Sequence, residues 1–323
     1  WLSLSPLHHL IYDLKDMQMN GSKMVTEFEL VGFPGLLDYN LVLFVGFLLL
    51  LLITLTANLL ILFLVSLDHR LHTPMYFFLC NLSLLDLLVA TSILPKLLAV
   101  LSGYAKTISF AGCFAQMYSL NFILAAMAYD RYIAVVKPLH YNIIINGKKC
   151  FLIMAVTWIL GFLYPVANTI LASSLPYCSS NKIMHCYCDY PAVLSLACAE
   201  VTSQADGAFG LAIVGNYVPL IYVTWTYVKI MLSVLRLNTR ESRTKAISMC
   251  SSHVALVVMY YVFGSIVYAE LKMEGFSYER RILVGSLSFL VIPVVNPLIY
   301  SLRNEKIKEA AKKYLKLYAI WKM

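Results

Sequence analysis

The chain has 323 residues, of which 60% are hydrophobic and 13% charged, and its mean hydropathy is +0.76. A soluble domain carries about 25% charged residues, so a water-soluble globular fold is excluded; intrinsic disorder, which needs low hydrophobicity and high net charge, is excluded too. The net charge of +8 would suggest nucleic acid on a soluble protein, and it takes meaning here only once the charges are placed along the chain.

Residues 1–16 form neither a signal peptide nor a membrane span, because Leu7–Leu14 is short and holds two His and an Asp. The chain starts at Trp1, so residues 1–16 are expected to be an upstream extension, with Met17, Met19 or Met24 as the natural start. Asn20-Gly21-Ser22 is an N-glycosylation sequon. A membrane helix needs about 20 mostly apolar residues. Seven stretches supply them: roughly 41–65, 75–101, 110–136, 151–172, 208–235, 246–269 and 282–302. None alternates with period two, which argues against a membrane β-barrel. No internal repeat of the transporter kind is visible. The expected fold is an all-α membrane protein, a seven-transmembrane helix bundle over 41–302. An N-terminal segment (1–40) and a tail (303–323) flank it.

Seven spans put the two termini on opposite sides. The odd-numbered loops and the tail hold 17 of the 25 Lys and Arg residues. The positive-inside bias places that set in the cytoplasm and the N-terminus, with Asn20, outside. Excluding Asp86, the inner set carries +12 and the outer set −3, so the excess faces the anionic leaflet and nucleic acid is not needed to explain it.

Within the spans, the sequon at Asn81 lies in an apolar helix and is read as structural. Asp86 sits in the middle of span two, and an intramembrane ionisable group is a functional hypothesis by default. Asn58 in span one and Asn296 in span seven are its expected polar partners. The alternative is a buried Asp that only ties helices together. Asp130-Arg131-Tyr132 ends span three, and an adjacent acid and base there can pair and break on switching; a snorkelling Arg is the plainer reading. Ser252 beside His253 lacks an orienting carboxylate and makes a poor nucleophile pair, and no other enzyme signature is present. Pro293 to Tyr300 holds two Pro; Pro297 removes one backbone bond and invites a kink, and Asn296 is expected to satisfy freed carbonyls. From about 304 to 318, Lys306, Lys308, Lys312, Lys313 and Lys316 alternate with Ile307, Ala310, Ala311, Tyr314, Leu315 and Tyr318. That spacing suits a basic helix lying on the inner leaflet, with a frayed polar tail as the alternative.

Taken in order, these features resemble a rhodopsin-like G-protein-coupled receptor. Further strings narrow the resemblance to the odorant-receptor family: Leu71-His72-Thr73-Pro74-Met75-Tyr76-Phe77-Phe78-Leu79, Met127-Ala128-Tyr129-Asp130-Arg131-Tyr132, Lys137-Pro138-Leu139-His140-Tyr141, Lys245-Ala246 with Cys250-Ser251-Ser252-His253, and Pro293 to Asn304. It covers about 25–320, and His185-Cys186-Tyr187-Cys188-Asp189 looks like the type expanded in aquatic vertebrates. The resemblance implies a receptor, not an enzyme, at the plasma membrane of sensory cilia, with no cofactor and no metal. It implies a small-molecule odorant entering from outside, and coupling to a stimulatory olfactory-type heterotrimeric G protein that raises cyclic AMP. Membrane lipids are the other expected partner. It implies that Asp130 releases Arg131 on activation, that Arg131 and Tyr227 then contact the G protein, and that Tyr132, Asn296, Pro297 and Tyr300 belong to the switch. It also implies the disulfides Cys113–Cys188 and Cys178–Cys198. Cys186 is left odd, open to replacing Cys188, binding a metal beside His185, or staying free. The expected pocket residues are Phe209, Ile213, Tyr261, Ser265, Tyr268 and Lys272, with Lys272 either attracting a carboxylate or simply solvated.

The sequence departs from this family in span three. From Cys113 to Arg131 is 18 steps, where the family carries about seven more. At 1.5 Å per residue the 18 steps rise about 27 Å, against a hydrocarbon core of about 30 Å. The short span keeps open a damaged or mis-spliced copy that does not signal; a small-solute transporter or channel, which needs a continuous polar path or broken helices near the midplane, is a separate alternative.

Overall fold

The computed structural model describes residues 25–117, 123–177, 180–199, 201–237, 239–269 and 278–321. It is an all-α membrane bundle with one small sheet. Helix α1 (Asn40–Leu67) has 28 residues and no charge, and at 1.5 Å per residue it runs about 42 Å, enough to cross a bilayer with tilt. Thr54, Asn58, Ile61 and Leu64 recur at three- and four-residue intervals and form its buried face. Leu49, Leu52, Leu59 and Phe63 stay exposed and face lipid. Helix α2 (Pro74–Leu101) starts on Pro74, where the missing N–H would be unbonded anyway, after an extended Thr73.

Helices α3 (Phe110–Gln116) and α4 (Ile123–Val136) flank residues 118–122, which lie outside the described residues. The third expected span is therefore seen as two pieces. A short α5 (Tyr141–Ile144) leads into α6 (Gly147–Ser173), whose Asn146 side chain caps it by accepting the Lys149 N–H at 3.0 Å. After α7 (Tyr190–Leu194) come α8 (Thr202–Leu235) and α9 (Arg240–Ala269), the latter bent by 42° between Arg240–Ser248 and His253–Val267. The last span is compound. Helix α10 (Tyr278–Ser286) passes through a π turn at Leu287–Val291 into α11 (Ile292–Arg303). Among the described residues five helices are long and apolar enough to cross a membrane, and six if bent α9 counts as one span.

The tail forms α12 (Glu305–Trp321), three residues longer than the expected 304–318 stretch at its far end. Ile307 and Ala310 are buried with Ile61, Leu64, Leu71 and Leu79, and the Tyr314 hydroxyl donates to the Leu67 carbonyl. One face of this helix is thus packed on the bundle.

One small sheet accompanies the helices. Strand β1 (Glu27–Leu30) pairs antiparallel with β2 (Thr107–Ser109) and parallel with β3 (Lys182–Ile183). The cause is local: Glu-Phe-Glu-Leu alternates with period two, and Phe28 and Leu30 are fully buried while Glu27 faces out. Phe28 stacks on Phe110 at 5.7 Å and meets Tyr177 edge-on at 5.4 Å. The sheet thus forms a lid over one end of the bundle, with α12 at the opposite, tail end.

Candidate functional site

Three groups of residues follow one another from the tail end to the lid. At the tail end, Arg131 donates to Asp130 Oδ2 from Nε at 3.1 Å and from Nη2 at 2.5 Å. The Tyr141 hydroxyl donates to the other Asp130 oxygen at 2.6 Å. Asp130 is 1% exposed and Arg131 8%, so this is a buried, paired charge rather than a snorkelling one. Removing one partner of such a pair strands a charge in low dielectric, which makes the pairing stable until something replaces it. Tyr132 packs its ring against Trp225 at 5.5 Å. The Tyr227 hydroxyl and His253 Nδ1 are 2.5 Å apart, with the rings stacked. His253 is buried. Its pairing with Tyr227 was not legible in the Cys-Ser-Ser-His string. Tyr300 packs against the same core.

In mid-bundle, Asn296 Nδ2 donates to both Asp86 oxygens, at 2.9 and 3.1 Å. Asn58 makes no hydrogen bond to Asp86. Its Nδ2 donates to the Thr54 carbonyl at 3.0 Å and to the Pro293 carbonyl at 3.2 Å. The second bond has a simple cause. In an α-helix the Pro293 carbonyl would accept from the N–H of residue 297, and that residue is Pro, which has none. So Asn58, not Asn296 as expected, satisfies the freed carbonyl, and Asn296 is left for the carboxyl group. Asn81 accepts from Trp158 Nε1 at 2.9 Å, a link between α2 and α6 inside the bundle.

Toward the lid lies a cavity of about 110 Å³. Gln116 and Met117 close it from α3, and Tyr164, Asn168 and Thr169 from α6. Asp189 enters from the loop beneath the lid and Tyr190 from the start of α7, and Phe289 and Ile292 from the last span. From α8 and α9 come Ala208, Tyr260, Gly264 and Val267. Phe209, Tyr261, Ser265 and Tyr268 lie one residue further along at each place, and one residue turns a helix by about 100°. None of the described expected residues lines the cavity. Phe209 is half-buried, Ile213 is 39% exposed, and Tyr261 is buried in the core nearer the tail end. Ser265 donates to the Tyr261 carbonyl at 2.6 Å and accepts from Asn216 at 3.2 Å. The side chain of Tyr268 and the whole of Lys272 lie outside the described residues.

The Cys113–Cys188 disulfide ties α3 to the loop under the lid. Cys198 is disulfide-bonded, and its expected partner Cys178 lies outside the described residues, as does Asn20. Cys186 is a free thiol, 3.6 Å from the Ser286 hydroxyl, and burial pushes it up to about 12. Among the described residues no group of three His, Cys, Asp or Glu side chains is placed to hold a metal ion. Burial holds His185 down to about 4 and pushes Asp189 up to about 6, with the Arg281 charge close to both. Gly285 permits this packing, since a Cβ there would meet the Tyr187 hydroxyl at 2.6 Å.

The family model described as olfactory receptor matches residues 47–317. Human olfactory receptor 10A6 is 40% identical over 305 residues, covering 92% of this chain and 96% of that protein. Human olfactory receptor 6N1 is 39% identical over 313 residues, covering 94% and 99%. Mouse olfactory receptor 5AP2 is 36% identical over 314 residues, covering 95% and 98%.

Proposed function

The chain belongs to the olfactory receptor family, a family of multi-pass odorant-sensing receptors and not of enzymes, and we propose that it signals through a stimulatory olfactory-type G protein to cyclic AMP. A small molecule reaches the lid-side cavity and favours the active arrangement by binding it better than the resting one. Asp130 then releases Arg131, which contacts the G protein together with Tyr227. Asn296, Pro297 and Tyr300 carry the change along the last span, with Asp86 and Asn58 as its polar partners. The N-terminus faces outside, and sensory cilia are the site of action.

The observation that supports this most directly is the buried Asp130–Arg131 pair, held at 2.5 Å with Tyr141 as third partner. A charge so placed is costly to expose without a new partner, which suits a contact made only when a G protein docks. The test is a cyclic AMP assay of the full chain against an odorant panel, with Arg131→Ala beside it. The response is expected to vanish in the variant at unchanged surface level. A response that survives Arg131→Ala overturns the coupling role.

One observation favours a second reading, a copy that does not signal: only 18 steps separate Cys113 from Arg131. If the native chain is silent and inserting about two helical turns after Asn121 restores surface expression and response, that reading replaces the first.

A further inference from the structure

We propose that a groove on the outer surface of α4, α6 and α8 binds one acyl chain of an anionic phospholipid, whose headgroup is held by Lys149 at the tail end. Which leaflet supplies the lipid rests on the orientation proposed above; the chemistry of the groove does not. The groove has a volume of about 660 Å³. Ala125 and Tyr129 line it from α4, Val156 and Leu160 from α6, and Tyr222 from α8. Leu152, Val156 and Leu160 stay exposed on the bundle surface. The small side chains of Ala125 and Ala126 leave the room between the helices.

Length, volume and charge name the occupant. From Lys149 to Leu160 is 11 steps along α6, about 16 Å at about 1.5 Å per residue. Half of a hydrocarbon core of about 30 Å is about 15 Å, so the groove spans the depth of one leaflet. An engineered cavity of about 150 Å³ holds benzene, so a groove of about 660 Å³ scales to about 25 non-hydrogen atoms. That admits one long acyl chain and not a whole phospholipid. Lys149 is the one charged residue among the described lining residues. No Asp or Glu occurs between Arg131 and Cys188, so neither α6 nor the loop before it offers Lys149 an acidic partner. The one acid of α4, Asp130, is already spent on Arg131 and Tyr141. The one acid of α8, Asp206, lies at the lid end of that helix. A lone cation at the end of an apolar groove calls for an anion joined to a hydrocarbon chain. A net-negative headgroup supplies that charge, and basic residues near a membrane surface attract it. Phosphatidylcholine counters its phosphate with its own cation, and a sterol brings no charge.

Photolabelling of the full-length chain tests this. Nanodiscs of phosphatidylcholine are doped with phosphatidylserine or phosphatidylcholine carrying a diazirine midway along one acyl chain. Peptide mass mapping reads the labelling of groove residues on α4 and α6 against that of Leu49 and Leu52, which are exposed on α1. The serine probe is expected to label the groove about fivefold more than the choline probe, the worth of one basic residue at a membrane surface. Lys149→Ala should bring the two probes together, and Lys149→Arg should keep the preference. Unchanged labelling of α1 shows that each variant is inserted. Val156→Trp, which fills the groove from an exposed position, should lower the labelling of Tyr129 by both probes. Equal labelling of the native groove by both probes, or a preference that survives Lys149→Ala, would overturn the assignment. So would clearance of both probes by an equal amount of cholesterol, which gives the groove to a sterol. Both faces of a nanodisc carry the same lipid, so the result does not depend on which way the chain points in a cell. Loss of the receptor reading or of the orientation leaves the groove standing, and equal labelling removes the groove and leaves both of them.

Discussion

Asp130 and Arg131 are both buried, and the carboxylate spends its second oxygen on Tyr141. The string Lys-Pro-Leu-His-Tyr delivers that hydroxyl: Pro138 opens a 3₁₀ turn through His140, and α5 begins on Tyr141. A hydrogen bond to a charged group is worth about 1.5–3 kcal/mol. Tyr141→Phe should therefore shift the balance toward released Arg131 by about tenfold or more. The expected outcome is raised cyclic AMP without odorant, while Tyr141→Phe combined with Arg131→Ala stays silent. An unchanged baseline in Tyr141→Phe would mean that the hydroxyl does not restrain the pair. The acid, the base and the tyrosine were all legible in sequence, because each sits in a string with little freedom. The Tyr227–His253 contact was not, since it joins two helices whose relative rotation no single segment specifies.

Helix rotation also explains what was legible of the cavity. In water, the apolar stripe of a helix names its buried face. In lipid the outer face is apolar too, as exposed Ile213 and Leu232 on α8 show, so hydropathy fixes where a span lies but not which way it turns. Four of the expected residues on α8 and α9, Phe209, Tyr261, Ser265 and Tyr268, therefore stand one position from the lining ones. Asn168 was overlooked although the rule that singled out Asp86, a polar group in an apolar helix, applies to it equally. Strand β1 was missed because four alternating residues are a weak signal beside seven long apolar runs. Packing details of this kind can be tested element by element. If Asn58 exists to satisfy the carbonyl that Pro297 frees, Asn58→Leu should cost about 1–3 kcal/mol in the native background. It should cost clearly less with Pro297→Ala, which returns an N–H to the helix. Thermal denaturation of the four-membered cycle measures the coupling, and strict additivity would break the argument.

The loop under the lid makes its own prediction. Below its raised value of about 6 the Asp189 carboxyl keeps a proton that the unfolded chain gives up near 3.8, so its contribution to stability falls as pH rises from about 4 to 6. His185, lowered from 6.5 to about 4, lacks a proton that the unfolded chain takes up, so its contribution rises over about 4 to 6.5. The two oppose each other in nearly the same window, with Arg281 close to both. The native chain should show little change in stability there. Asp189→Asn should uncover the histidine slope, a gain of up to about 3 kcal/mol from pH 4 to 6.5. His185→Gln should slope the other way. Melting curves in detergent across that range decide it, and two variants with the same sign of slope would refute the pairing.

For the molecule as a whole, the charge excess and the lid must agree on one orientation. The odd-numbered loops and the tail carry 17 of 25 Lys and Arg residues, and α12 presents Lys308, Lys312 and Lys313 at the end opposite the sheet. The lid-side loop carries the Cys113–Cys188 disulfide, which forms readily only in an oxidising compartment. Charge bias and disulfide chemistry are independent, and both agree with the proposed orientation, which has the lid outside and α12 against the inner leaflet. In cells the chain should therefore lose mass on N-glycosidase treatment, and Asn20→Gln should abolish the loss. A tag placed after Met323 should bind antibody only in permeabilised cells. If the tag binds antibody in intact cells, the bundle is inverted, and the Arg131 contact would face away from any cytoplasmic G protein.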